Sequence, residues 1–114
     1  MNLFVKFYGR SRVINVQKAE GFAKLRGLMF RSRDAKPMLF EFSGVSGAIH
    51  SFFVFFPFLA VWLDGKNNVV LCQTIKPFRP IVPAPKNAQK LVEVPLNSEN
   101  AEIIEFFVGK IRKV

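Results

Sequence analysis

The sequence predicts a mostly β fold with one or two short helices, and three observations predict it. Short runs of β-branched and aromatic residues recur along the chain, most of them are bounded by Gly, Asn, Asp or Pro, and helical periodicity is confined to two brief segments. At 114 residues, half of them hydrophobic and fourteen of them phenylalanine, the chain can fill a packed core and is too apolar for disorder. The expected architecture is a single domain over residues 1–114, a meandering and partly closed barrel-like sheet.

The elements follow in order. Leu3–Tyr8 has strand composition, Gly9-Arg10-Ser11 is the expected turn, and Val13–Val16 returns as the second arm of a hairpin. Ala19, Phe22, Ala23 and Arg26 then fall at helical spacing, with Gly27 as the stop and a charged loop from Arg31 to Pro37. Met38–Phe42 reads as a strand and Ser43–Gly47 as a turn. Ile49–Phe56 and Phe58–Leu63 read as two long strands interrupted at Pro57, which implies a bulge, an edge or a bend because proline cannot donate to a ladder. Asp64-Gly65-Lys66-Asn67-Asn68 supplies turn residues before a strand over Val69–Ile75. The four prolines between 77 and 87 keep that segment extended. Leu91–Val94 is a strand closed by Pro95. Asn97 or Ser98 caps a short helix over Glu99–Phe107, with acids in its first turn, and Val108–Val114 is expected to end as a strand.

Cys72 is the single cysteine, so the chain can form no internal disulfide, and its apolar neighbours predict a buried strand position. The first residues lack a signal-peptide pattern and no Asn-x-Ser/Thr acceptor occurs, which together favour a cytoplasmic setting. No charged side chain occurs between Phe42 and Leu63, a stretch long enough to cross a bilayer as a helix. Its serines, glycines and Pro57, its Phe/Val-rich core and its acidic flanks Glu41 and Asp64 instead predict two buried strands and no membrane role.

Gly27-Leu28-Met29-Phe30-Arg31 followed by Pro37-Met38-Leu39-Phe40-Glu41-Phe42 resembles the domain of unknown function 192 family. Ile49–Pro57 looks like the archaeal form of its central segment, Trp62-Leu63-Asp64 with Gly65 and Val69-Val70 is similar to its following hairpin, and Ala84-Pro85 through Pro95 resembles its late strand. The blocks cover roughly residues 19–95 in the family's order. Two positions depart from the pattern: Leu59 stands where the family has Asp, and Pro37 where it usually has Gly. The resemblance implies a compact β-barrel-like fold with a short helix and carries no established activity.

The formal net charge is +9, and residues 1–36 hold nine cations against Glu20 and Asp34. That bias favours anionic ligands or polyanions. His50 is the lone histidine, so no His-His metal clamp can form, and neither a metal nor a cofactor is expected. Glu99, Glu102 and Glu105 describe a solvated helix face. No phosphate-binding loop, dinucleotide fingerprint or nucleophile elbow occurs. Phe53–Phe56 and Gly44-Val45-Ser46-Gly47 echo RNA-recognition and KH motifs without their required contexts.

The sequence thus points to a ligand-binding or interaction module, monomeric or weakly dimeric, with Arg31, His50 and Lys76 as candidate anion contacts. The alternative is a nonspecific nucleic-acid binder using Arg10, Arg12, Lys24, Arg26, Arg31 and Arg33, which would show strong salt dependence. An uncharacterised enzyme is the third reading.

Overall fold

The computed structural model describes residues 1–18, 36–41, 48–49, 56–77 and 82–108. Its strands are β1 (Asn2–Phe7), β2 (Arg10–Asn15), β3 (Gln17–Lys18), β4 (Met38–Glu41), β5 (Ala48–Ile49), β6 (Phe58–Leu63), β7 (Val69–Ile75), β8 (Val82–Pro83) and β9 (Lys90–Pro95). A 3-10 turn, Ser98–Asn100, leads into helix α1 (Ala101–Val108). Five strands form one sheet in the order β3-β4-β9-β6-β7, while β1-β2 and β5-β8 are separate two-stranded ribbons. Among the described residues the sheets are not closed into a barrel.

Strand β6 explains the last six residues of the long uncharged run. All six of its residues are buried, because apolar side chains cover the sheet on both faces. Phe58, Ala60 and Trp62 point into a cluster with Met38, Phe40, Phe56, Ile75, Val82, Ala88 and Leu91. Leu59, Val61 and Leu63 point the other way, against Leu3, Val5 and Ile14 of the β1-β2 hairpin and Phe106 and Phe107 of α1. A strand covered on both faces reads as a continuous apolar run. No described helix is long and apolar enough to cross a membrane. Glu93, on β9, is a charged side chain buried within this sheet, in register with Met38 and Ala60.

The first hairpin turns one residue earlier than expected. Phe7 pairs with Arg10, which leaves Tyr8-Gly9 as a two-residue loop with φ of 50° and 76°. Two consecutive positive φ values define the type I′ turn, whose twist matches that of the flanking strands. Leu3, Val5 and Ile14 consequently face the core, while Phe4, Lys6 and Val13 face outward.

The β6-β7 turn is held by Asp64, whose Oδ1 accepts from the backbone N–H groups of Lys66 (2.8 Å) and Asn68 (2.9 Å). Asn67 takes the left-handed conformation, with φ of 66°, and its Oδ1 accepts from Lys90 Nζ at 2.7 Å. A Cβ at Gly65 would lie 2.8 Å from Oε1 of Gln89, the end of a flexible exposed side chain that can swing aside.

Asn97 is the helix cap, its side chain accepting from Asn100 N–H at 2.8 Å. Buried Asn100 in turn donates from Nδ2 to the Pro95 carbonyl at 3.0 Å, which fixes the helix entry to the end of β9. The helix runs through Val108, so a strand does not begin there; residues 109–114 lie outside the described ones. The helix expected at 19–26, the 43–47 turn and most of the Ile49–Phe56 strand also lie outside them.

Leu91 is fully buried between β4 and β6, opposite Phe40 and Trp62. Leu91→Ala is expected to lower stability by about 2–5 kcal/mol, from lost transfer energy plus the cavity left behind. Urea unfolding followed by the emission of Trp62, the one tryptophan, measures it.

Candidate functional site

A groove of about 690 Å³ opens between the β1-β2 hairpin and β7, the last strand of the central sheet. Its walls are Phe4, Lys6, Phe7 and the Tyr8–Ser11 tip on one side and Asn68–Cys72 on the other, with Phe107 of α1 at its base. At one end the walls meet: Lys6 forms a parallel bridge with Asn68, and its backbone N–H donates to the Asn67 carbonyl at 2.9 Å. The volume falls within the usual range for small-molecule sites.

Local sequence explains the apolar lining. The pairing of β6 with β7 slips at Trp62/Leu63, where Trp62 faces Leu71 but Leu63 faces Val69, so Val70 is the extra residue of a bulge. A bulge breaks strict alternation. Val70 and Leu71 are therefore both exposed, though adjacent on one strand. Across the groove Phe4 is 51 % exposed and Tyr8 88 %. A tyrosine at positive φ is uncommon and costs about 1–3 kcal/mol. The turn thus holds a strained residue whose ring contributes little to the core.

The lining carries cations and, among the described residues, no carboxylate or imidazole. Arg10 is oriented by α1: its guanidinium donates to the Phe106 carbonyl at 3.0 Å and lies 4.9 Å from the centre of the Phe106 ring. A cation placed there also meets the negative end of the helix dipole. Asp64 anchors the closed end of the groove. Its carboxyl is held below the ordinary value of 3.8, chiefly by the backbone hydrogen bond from Asn68, with further help from the Lys66 N–H and the Lys6 charge against a smaller opposing effect of burial. The thiol of Cys72 is pushed up to about 12 by burial, so at neutral pH it is a protonated, weakly nucleophilic wall of the groove. Its strand position is as expected, but on an edge strand it is only partly buried. This arrangement offers apolar surface, a phenol and two cations.

The residues named from sequence fall differently. Arg31 and His50, two of the three candidate anion contacts, lie outside the described residues, as do Lys24, Arg26 and Arg33. Lys76 follows the end of β7 and does not line the groove. Arg12 forms an ion pair with Glu102 at 2.9 Å. Arg10 alone of the named cations that are described belongs to the lining. Sequence reasoning missed Phe4, Lys6, Tyr8, Val70 and Leu71; the one available signal was an apolar pair at the start of a strand, which local pattern alone assigns to the core.

Two outcomes follow from these protonation states. Since folding raises the Cys72 pKa from 9.0 to about 12, its contribution to stability is complete below pH 9 and is lost as the pH rises through about 12. The alkaline fall in urea midpoint should be shallower in Cys72→Ala than in the parent protein. For Asp64 the sign is opposite: its contribution is complete above pH 3.8 and is lost as the pH falls through the lowered folded value. Asp64→Ala should cost about 1–3 kcal/mol near neutral pH and flatten the acid limb of the same titration.

Comparison with known proteins agrees with this architecture. The solved structure of a protein of unknown function from Novosphingobium aromaticivorans DSM 12444 superposes with a TM-score of 0.71 at 16 % identity. The match covers 90 % of this chain and 76 % of that one, a likeness of fold. No curated protein matches the chain. The model of the DUF192 family, described as an uncharacterized ACR, matches residues 4–105. With nearly its whole length matched, the chain belongs to the DUF192 family.

Proposed function

We propose that this chain is a binding module whose ligands are amphipathic anions, held in the groove between the hairpin and β7. The observation that carries the reading is the lining itself: exposed Phe4, Tyr8, Val70 and Leu71 stand beside Lys6 and Arg10, with no carboxylate among the described lining residues. Exposed apolar groups grouped in a concavity are the ordinary mark of a recognition surface. The cations add selectivity for negative charge. Arg10 and Arg12 both turn toward α1, the first to a carbonyl and the second to Glu102, which favours a local site over a polyanion-binding face. A cytoplasmic setting and membership of the archaeal-type variants belong to the same reading, supported by the free thiol and by the Ile49–Pro57 segment as written in the sequence.

Decanoate and uncharged decanol, compared by thermal shift, test the proposal. A ligand at a hundred times its dissociation constant adds about 2.7 kcal/mol of stability. Decanoate should raise the melting temperature, decanol should raise it less, and Arg10→Gln should narrow the difference. Equal shifts for acid and alcohol, or none for either, would refute the reading.

The strained turn gives a second test with two opposite signs. Asn is a preferred residue at the first position of a type I′ turn. Tyr8→Asn should therefore stabilise the fold by about 1 kcal/mol while weakening decanoate binding. A variant that gains stability and binds as well as the parent would remove Tyr8 from the site.

A further inference from the structure

The groove has a wall that a small anion would leave unused. Strand β7 ends the five-stranded sheet, and along its outer edge the described residues provide a single bridge, Lys6 to Asn68. Beyond that bridge β1 and β7 diverge to form the groove. An edge strand presents a row of main-chain donors and acceptors to whatever lies beside it. Natural edges are commonly guarded by charged side chains, yet Val69-Val70-Leu71-Cys72-Gln73-Thr74-Ile75 contains none. Its bulge instead leaves two adjacent apolar residues, Val70 and Leu71, exposed along this edge.

We propose that the occupant is an extended polypeptide segment, alternating acidic and apolar residues, that adds as a further strand to the edge of β7 that no described strand covers. This rests on the groove being the binding site. Main-chain hydrogen bonds to β7 supply affinity in such a complex, and side-chain pockets supply selectivity. The apolar side chains of the segment meet Val70, Leu71 and Phe4, and its carboxylates meet Lys6 and Arg10. The edge from Val70 to Ile75 accommodates about six residues, roughly 20 Å of strand. A second copy of this chain is disfavoured by charge: the molecule carries +9, and edge-to-edge pairing would bring two sets of Lys6 and Arg10 together.

The probes are a fluorescein-labelled peptide of about six residues alternating glutamate and valine, and its fully N-methylated counterpart. The two share charge and side chains, but the second has no backbone N–H to donate. The parent peptide should bind, methylation should weaken it at least about tenfold, and Leu71→Glu and Arg10→Gln should each weaken it with unchanged circular dichroism. Hydrogen exchange should slow at alternate amides of β7 when the parent peptide is present. Equal binding of the two peptides, or decanoate binding with neither peptide bound, overturns strand addition while the groove reading stands. Failure of decanoate and both peptides removes the groove reading and this inference together. A dimer in light scattering whose β7 amides are already protected without peptide assigns the edge to a second copy and also overturns the proposal.

Discussion

Strand β6 must be covered on both faces, and most of the remaining architecture answers that constraint. Six consecutive buried residues without a charge can be accommodated only between two layers. On one face the covering layer is the β1-β2 hairpin with α1; on the other it includes Phe56, Val82 and Ala88. The hairpin is therefore not an appendage of the sheet. Removing Leu3, Val5 and Ile14 would expose Leu59, Val61 and Leu63 to water, at about 25 cal/mol for each Å² uncovered.

Covering the sheet with a hairpin also creates the groove. A two-stranded ribbon lying on a twisted sheet matches the sheet's direction over a short length only. Here it touches β7 at Lys6 and Asn68 and then departs, so the tip at Tyr8-Gly9 stands clear of the strand it would otherwise cap. Helix α1 closes the base through Phe106 and Phe107, which pack edge-to-face at 5.1 Å and each lie near Phe7.

Much of this was legible in the sequence, and the limits have a common cause. Residues that specify local structure were readable: the Asp64–Asn68 turn, a helix cap at Asn97 or Ser98, of which Asn97 is the one, and strands at 58–63, 69–75 and 91–94, the last extended by one residue at each end. What could not be read was which strand lies beside which. Strand β9 lies between β4 and β6, a pairing set by burial between segments distant in the chain and not by any local pattern. For the same reason Val70 and Leu71 look like core residues until β7 is known to be an edge. Lys6 and Arg10 gain their significance from what they face. The positive φ of Tyr8 follows from the two-residue register, which a composition-based turn at Gly9–Ser11 misses.

The hairpin tip shows where stability and recognition diverge. An unstrained turn at this place is available to any sequence that puts Asn before Gly, and it would serve the core equally well, because Tyr8 is almost wholly exposed and buries little against anything but Phe7 at 4.5 Å. The fold gains little from the phenol, and the strained backbone that carries it detracts from stability. Local strain of this kind persists when surrounding structure overdetermines it, and the Phe7–Arg10 pair with the Phe106 contacts beneath provides that support. An aromatic ring so held stands beside a cation fixed by a helix carbonyl and opposite a strand edge that no described strand covers, and this grouping is what the proposed binding role rests on. Packing accounts for the inner face of the hairpin; the proposed binding role would account for its exposed outer residues.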